Sequence, residues 1–151
     1  MLAEQSGLYV RYVNVILNQQ RPPATQTRSG LLRPIGSAAT GWCLLSLQPD
    51  AEIGRIVRDV NKIEAHNRIR LQDIKARIEE VRRYGFVVSR NSVAEGIGVV
   101  AMPFGYLLPG RRFAVGIGAP IARLDRRLST LVMDLKQCAA SWDKLVVGPN
   151  D

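Results

Sequence analysis

The amino-acid sequence predicts one α/β domain of the α+β type, with helices packed on the faces of an antiparallel sheet. Its 151 residues suit a single hydrophobic core. Hydrophobic patterns follow the order strand, three helices, three strands, helix. Two of the later strands can form a hairpin, which favours an antiparallel sheet over a parallel, doubly wound one. We expect a single domain over residues 1–151, with an ordered core at about 8–144.

The first predicted strand is Leu8–Leu17, where Val, Tyr and Ile recur. A turn at Gln5–Gly7 precedes it and leaves Met1–Glu4 as only a partial partner strand. We therefore expect Leu8–Leu17 to lie at an exposed sheet edge, which favours pairing with a second copy. Asn18–Arg33 contains two prolines and a glycine, and it predicts a long surface loop.

Three helices are predicted next. Ser37 is placed to cap the first, which runs through Ala38–Leu47, although Gly41 weakens it locally. The second begins near Asp50, and the third ends at Gly85 in a left-handed cap. The second and third carry apolar residues at helical spacing: Ile53, Ile56, Val57, Val60 and Ile63, then Leu71, Ile74, Ile78 and Val81.

Three strands and a final helix are predicted in the C-terminal half. The strands are Phe86–Ser89, Ile97–Pro103 and Arg112–Gly118, and a loop at Gly105–Gly110 joins the last two into a hairpin. The tail from Val146 is expected to fray. The final helix keeps one apolar face over about five turns, formed by Leu124, Leu128, Leu131, Val132, Leu135, Ala139 and Trp142.

The sequence offers few residues for catalysis or metal binding. His66 is the only histidine and lies in a polar segment, so histidine-based catalysis and zinc sites are disfavoured. Cys43 and Cys138 lie far apart in apolar helical patterns, which predicts two buried thiols. Gly96–Ala101 matches the dinucleotide fingerprint, but no helix follows it. We predict no catalytic residue, no metal ion and no cofactor.

Charge and hydropathy limit the other classes. The net charge is +8, and seventeen of the 21 basic residues are arginine, spread over predicted helix faces. Solvated helices explain this spread, and a nucleic-acid surface stays open as the less favoured alternative because no aromatic residues alternate with the arginines. No apolar run is long enough for a membrane span, and no secretory signal begins the chain. We expect a cytoplasmic protein without membrane contact.

Two short segments could contact a ligand. Gly116 and Gly118 alternate in a strand, so both missing side chains lie on one face. Such glycines either allow a helix to pack closely on the sheet or form the floor of a pocket. The helix start at Ser37–Gly41 presents free backbone N–H groups that could bind an anion.

Four segments in order resemble motifs of the effector-binding domain of the IclR (isocitrate-lyase-regulator type) transcription regulators. They are Arg33–Leu45, Ile78–Val88, Glu95–Pro103 and Ala114–Arg123. The resemblance implies a GAF/profilin-like fold, a small organic or aromatic acid or other metabolite as effector, and self-association as a dimer or tetramer. It also implies that DNA binding belongs to a separate winged helix-turn-helix domain, absent from these residues.

The resemblance also places the ligand-binding positions, at Ala39, Thr40, Ser89, Val99, Gly116 and Gly118. Several departures from the family pattern occur here: Ser89 replaces an acidic residue, and Gly116 and Gly118 replace serines. A pocket with these substitutions has fewer polar groups and more room, which favours a larger and more apolar ligand. The alternative is a dimerising module that binds no ligand.

Overall fold

The computed structural model describes the backbone of residues 1–18, 26–108 and 110–147, and the side chains within those ranges except for 106–108 and 142–147. These residues form one six-stranded antiparallel sheet in the order β3–β2–β1–β6–β5–β4. The predicted fold class is therefore confirmed. The elements are β1 (Leu2–Ser6), β2 (Tyr9–Asn14), β3 (Leu32–Pro34), a 3₁₀ turn (Ile35–Ser37), α1 (Ala39–Ser46), α2 (Asp50–Ile63), α3 (Leu71–Tyr84), β4 (Val87–Arg90), β5 (Ile97–Leu108), β6 (Arg111–Pro120) and α4 (Ile121–Val147).

The first hairpin is more complete than predicted. β1 pairs with β2 from Leu2 opposite Asn14 to Ser6 opposite Tyr9. β2 then lies between β1 and β3, so the prediction that Leu8–Leu17 forms a sheet edge was wrong. The physical reason is that strand pairing uses backbone N–H and C=O groups. A polar segment such as β1 has these groups just as an apolar segment does, so it can form a full strand.

β3 occupies the end of the segment predicted as a loop. Leu32–Pro34 pairs with β2, and the N–H of Tyr12 donates to the carbonyl oxygen of Leu31 at 3.0 Å. The loop prediction was wrong for these residues because a three-residue strand carries too little pattern to be detected. Residues 19–25 of the predicted loop lie outside the described residues.

The helices follow the predicted apolar patterns, and α3 ends at Gly85 with φ +78°, as predicted. The predicted cap of α1 was wrong. Ala38 is the N-cap residue, while the Ser37 hydroxyl donates to the carbonyl oxygen of Pro34 at 2.8 Å. Because Ser37 lies in the preceding 3₁₀ turn and alanine has no polar side chain, α1 begins without a side-chain cap.

The second hairpin was predicted correctly, but its strands are longer. β5 continues to Leu108 and β6 begins at Arg111, so most of the predicted Gly105–Gly110 loop is strand. Gly105 lies within β5 with φ +73°, where the pairing register shifts. A glycine at such an irregularity predicts a turn when only the sequence is considered, although the strand continues through it.

The helices cover both faces of the sheet. On the inner face α1 lies across the strands, with α3 packed against it and α2 beside the 3₁₀ turn. Leu44, Leu45, Ile53 and Ile78 are fully or almost fully buried in this core. On the outer face α4 packs on β5 and β6, through the buried residues Val88, Val100, Met102, Leu124, Val132 and Leu135.

The end of α4 meets the limit of the described residues. The helix includes Val146 and Val147, so the predicted fraying does not begin at Val146. The rest of the predicted tail, residues 148–151, lies outside the described residues, as does the side chain of Trp142.

A buried carboxylate joins three strands beside the area that α4 covers. Glu4 of β1 is 4% exposed and accepts hydrogen bonds from Arg11 of β2 at 2.9 Å and from Arg111 of β6 at 3.0 Å. Burial raises the pKa of Glu4, but the hydrogen bonds from Arg11 and Arg111 and their charges outweigh it, so the pKa is lowered overall. These charged contacts tie the two halves of the sheet together.

Candidate functional site

A cavity of about 500 Å³ lies beside the pairing of β1 with β6. Its volume falls in the range of small-molecule pockets. Its walls come from β1, β2 and the residues after it, the β4–β5 connection, β5, β6 and the first turns of α4. They are Met1, Tyr12, Val15, Ile16, Leu17, Asn18, Thr27, Val93, Ile97, Val99, Gly116, Ile117, Gly118, Ala119, Pro120, Arg123, Arg127 and Leu131.

Three of the six predicted ligand-binding residues line this cavity: Val99, Gly116 and Gly118. Val99 of β5 pairs with Gly118 of β6, and Gly116 is the next residue of β6 on the same face. The cavity therefore has a stretch of wall made of bare backbone, next to the isopropyl group of Val99.

The two glycines differ in the space around them. A Cβ atom on Gly118 would lie 3.4 Å from Cε of Met1 and 3.7 Å from Cγ2 of Val99, both ordinary contacts. A Cβ atom on Gly116 would lie 3.2 Å from the Thr40 methyl group and 3.3 Å from the carbonyl oxygen of Val100. Both interpretations of the sequence therefore apply to Gly116, because it lines the cavity and also lets α1 pack closely on the sheet.

The other three predicted residues surround the cavity without lining it. Ala39, Thr40 and Ser89 are buried, with 1%, 1% and 2% exposure. Ala39 and Thr40 begin α1, and Ser89 lies on β4 opposite Val99 of β5. Their part in binding a ligand stays a prediction.

Thr40 is unusual among the buried polar residues. Its hydroxyl oxygen has no hydrogen-bond partner among the described residues. The carbonyl of Gly36, four residues earlier, instead accepts a hydrogen bond from Nε1 of Trp42 at 2.8 Å. An unpaired buried hydroxyl lowers stability, so one beside a cavity invites a functional explanation.

The packing of Trp42 holds the start of α1 in place. The Trp42 side chain is 7% exposed, and the Arg77 guanidinium of α3 lies 5.4 Å from its ring centre. The indole anchors α1 to the 3₁₀ turn through Gly36 and to α3 through Arg77. The residue is structural in this chain.

Sequence reasoning missed the charged residues of the cavity. Arg123 and Arg127 line it, and no acidic side chain of the described part of the chain does. In the sequence they read as part of a solvated helix face, as most surface arginines do. The available signal was their spacing, because Arg123, Arg127 and Leu131 recur every four residues and so share one side of α4.

Cysteine and metal chemistry are not supported at this site. Cys43 is buried, and burial raises the pKa of its thiol far above the usual range. Cys138 is exposed, so the prediction of two buried thiols was wrong for it, because it lies on the outward side of α4. Within the described ranges no three His, Cys, Asp or Glu residues cluster as metal ligands do.

Two other predictions can be compared with the structure. The glycines that match a dinucleotide fingerprint lead from a turn at Gly96, with φ +74°, into β5. No helix follows them, which confirms that the match is accidental. Among the described helices, none combines the length and apolar character needed to cross a membrane.

The comparisons with known proteins are consistent with each other. The family described as the C-terminal part of the bacterial transcriptional regulator IclR matches residues 1–144. The effector domain of the regulator IclR from Acinetobacter sp. ADP1 is similar with a TM-score of 0.84 and 22% identity, covering 95% of this chain and 84% of that one. The comparison with curated proteins found no match.

Two further solved structures have the same fold. The C-terminal domain of a transcriptional regulator from Vibrio cholerae matches with a TM-score of 0.74 and 19% identity, over 92% of this chain and 82% of that one. The IclR of Thermotoga maritima matches with a TM-score of 0.81 and 20% identity, over 96% of this chain and 60% of that one.

Proposed function

Because the chain belongs to the IclR C-terminal family of bacterial transcriptional regulators, we propose that it binds the small-molecule effector of such a regulator in the cavity beside β6. One observation carries the proposal. The cavity of about 500 Å³ is bounded by the bare backbone of Gly116 and Gly118 and by apolar side chains. Because these two positions of β6 have no side chains, the strand leaves space for a ligand there.

The chemistry of the walls supports an organic molecule with a large apolar part. Val15, Ile97, Val99 and Leu131 present hydrocarbon surface to the cavity. Burial of apolar surface contributes about 25 cal/mol per Å² to binding, before the costs of association. An organic or aromatic acid, the effector class that the family resemblance implies, suits these walls better than a small polar acid.

The wider regulatory role is part of the same proposal. DNA binding is assigned to a separate winged helix-turn-helix domain of the regulator, and the site of action to the cytoplasm. Three helix arginines support this division, because Arg55, Arg77 and Arg82 each pair with an acidic residue of the same helix. Such pairs leave less free positive charge for a phosphate backbone.

We also propose that the chain self-associates, as the family resemblance implies. Support comes from the outer face of β2 and β3, where Val13 is 42% exposed and Leu32 is 50% exposed. These side chains share the face that α4 covers only over β5 and β6. Light scattering at several concentrations tests the idea: we expect a mass above that of one chain, reduced by Leu32→Glu, and a single-chain mass throughout would contradict it.

A thermal-shift screen tests effector binding directly. The chain is heated with a library of organic and aromatic acids, and a ligand at about 100 times its dissociation constant stabilises the folded state by about 2.7 kcal/mol. We expect the screen to find ligands whose effect disappears in Gly118→Leu, which fills the cavity, and persists in Gly118→Ala, which does not. Ligands that stabilise all three proteins equally, or no ligands at all, would contradict the proposal and favour a ligand-free dimerising module.

A further inference from the structure

We propose that Arg123 and Arg127 of α4 form the anion-binding end of the cavity, so that the effector is an amphipathic carboxylate with its apolar body along β6. The inference rests on the proposed effector function and adds to it the residues that bind the charge of the acid and the orientation of its apolar body. The sequence had suggested an anion site at the free N–H groups of Ser37–Gly41, at the start of α1, instead.

The position of the two arginines supports the inference. α4 begins at Ile121, directly after β6, so its first turns continue the wall of the cavity. Arg123 and Arg127 are one helical turn apart and both reach this wall, while Leu124 between them is fully buried against the sheet. Among the residues that the structure describes, they are the charged side chains that line the cavity.

The two arginines lack neutralising partners within the described residues. Asp125, the nearest acidic residue along α4, pairs with Arg90 of β4 at 2.6 Å. The first turn of α4 has no acidic residue, so Arg123 lies near the positive end of the helix dipole. Like charges one turn apart also repel. A bound anion would offset both the repulsion between the two arginines and the unfavourable position of Arg123 near the positive end of the helix dipole. Arginines on an ordinary solvated helix face do not require a bound anion.

The shape of the cavity makes the ligand amphipathic. Besides the arginines, its lining includes the apolar side chains of Ile97, Val99 and Leu131 and the glycine backbone of β6. A planar guanidinium group matches a carboxylate through two parallel hydrogen bonds. A carboxylate on a hydrocarbon or aryl body therefore complements both ends of the cavity.

Contacts at α1 argue against the opposite orientation. The Thr40 methyl group closes against Gly116, and neither Ala39 nor Thr40 lines the cavity. A ligand in this cavity reaches the arginines of α4 more directly than the backbone N–H groups of α1. The inference thus predicts a different set of critical residues from the one that the family resemblance implies.

An NMR titration distinguishes these possibilities. The isotope-labelled chain is titrated with straight-chain and arylalkanoic acids from butanoate to decanoate, each compared with its own primary amide. The variants are Arg123→Met, Arg127→Met and, as the matched control, Arg126→Met. Arg126 is exposed, lies between Arg123 and Arg127 in α4 and does not line the cavity. Its replacement therefore removes the same charge from the same part of the helix.

We expect the best acid to bind about tenfold more tightly than its amide, because a hydrogen bond to a charged group changes an affinity by about that factor. Val99, Gly116 and Gly118 should show the shifts. Arg123→Met and Arg127→Met should each remove most of the preference for the acid, and Arg126→Met should leave it.

Three results would overturn the inference. Equal binding of acid and amide at the cavity would contradict the anion site but not the proposed effector function. Equal loss in Arg126→Met and Arg123→Met would show that net charge, and not this pair, attracts the acid. The absence of shifts at the cavity with every acid and every amide would contradict both the inference and the proposed function.

Discussion

The methyl group of Thr40 lies 3.2 Å from the point that a Cβ atom on Gly116 would occupy. This contact makes Gly116 a packing residue as well as a cavity residue, and it separates Gly116 from its neighbour Gly118. The two glycines, which look equivalent in the sequence, should therefore respond differently to the same substitution.

We expect Gly116→Ala to lower the free energy of unfolding by about 1 kcal/mol through overpacking. Gly118→Ala should leave it within about 0.5 kcal/mol, since the added methyl group meets only ordinary contacts. Urea denaturation measures both. Thr40→Ser removes the methyl group in question, so it should restore stability in the double variant with Gly116→Ala; a purely additive loss would show that Thr40 is not the obstacle.

The Thr40 hydroxyl provides a second prediction. It is buried without a partner, so Thr40→Val, which keeps the shape, should raise the free energy of unfolding by roughly 1 kcal/mol. Thermal and urea denaturation of the ligand-free chain measure the change. A loss of stability instead would indicate that an ordered water molecule satisfies the hydroxyl.

Two helical glycines offer a matched pair. A Cβ atom on Gly41 of α1 would overlap the carbonyl oxygen of Ile35, a backbone atom that cannot turn away. Gly41→Ala should therefore cost roughly 3 kcal/mol or more. At Gly54 of α2 the nearest atom is Nη1 of Arg58 at 3.6 Å, so Gly54→Ala should stabilise by about 1 kcal/mol through helix propensity. Comparable effects of the two substitutions would contradict this account.

Glu4 predicts a pH dependence. Its pKa is lowered in the folded chain, so its contribution is complete above its ordinary pKa and is lost as the pH falls through the folded value. Glu4→Gln should cost roughly 1–3 kcal/mol at neutral pH and make stability fall less steeply as the pH drops below the ordinary pKa of a glutamate. Glu95→Gln, at an exposed residue, serves as the control. An unchanged acid limb in Glu4→Gln would refute the assignment.

Sequence reasoning succeeded where one pattern covers many residues. Helices α2, α3 and α4 and the β5–β6 hairpin repeat their apolar spacing over several turns or pairs. β1 and β3 were missed or shortened because their identity depends on backbone pairing with β2, which leaves no side-chain pattern. Tertiary pairing of this kind overrides local propensity.

The candidate site was predicted in part for a related reason. Val99, Gly116 and Gly118 could be placed on one face by strand alternation. Arg123 and Arg127 could not be placed at the site. A polar helix face beside a cavity and one beside solvent have the same composition, and only the position of the sheet edge distinguishes them. The Ser37 cap was predicted wrongly because Ser37 belongs to the 3₁₀ turn, where its hydroxyl bonds to the carbonyl of Pro34, and Ala38 takes the N-cap position.

The pairing of β1 with β6 has a consequence for how the protein folds and opens. The sheet consists of two locally connected halves. Among the described residues, their backbones pair where Leu2, Ala3 and Glu4 lie opposite Val115, Ala114 and Phe113 and where Met1 bonds to Gly116, 115 residues away. Closing so long a loop is entropically costly, so this pairing should form late and exchange its amide hydrogens early. The cavity adjoins this pairing, so we expect a ligand that binds there to stabilise the pairing and to slow amide exchange in β1 and β6.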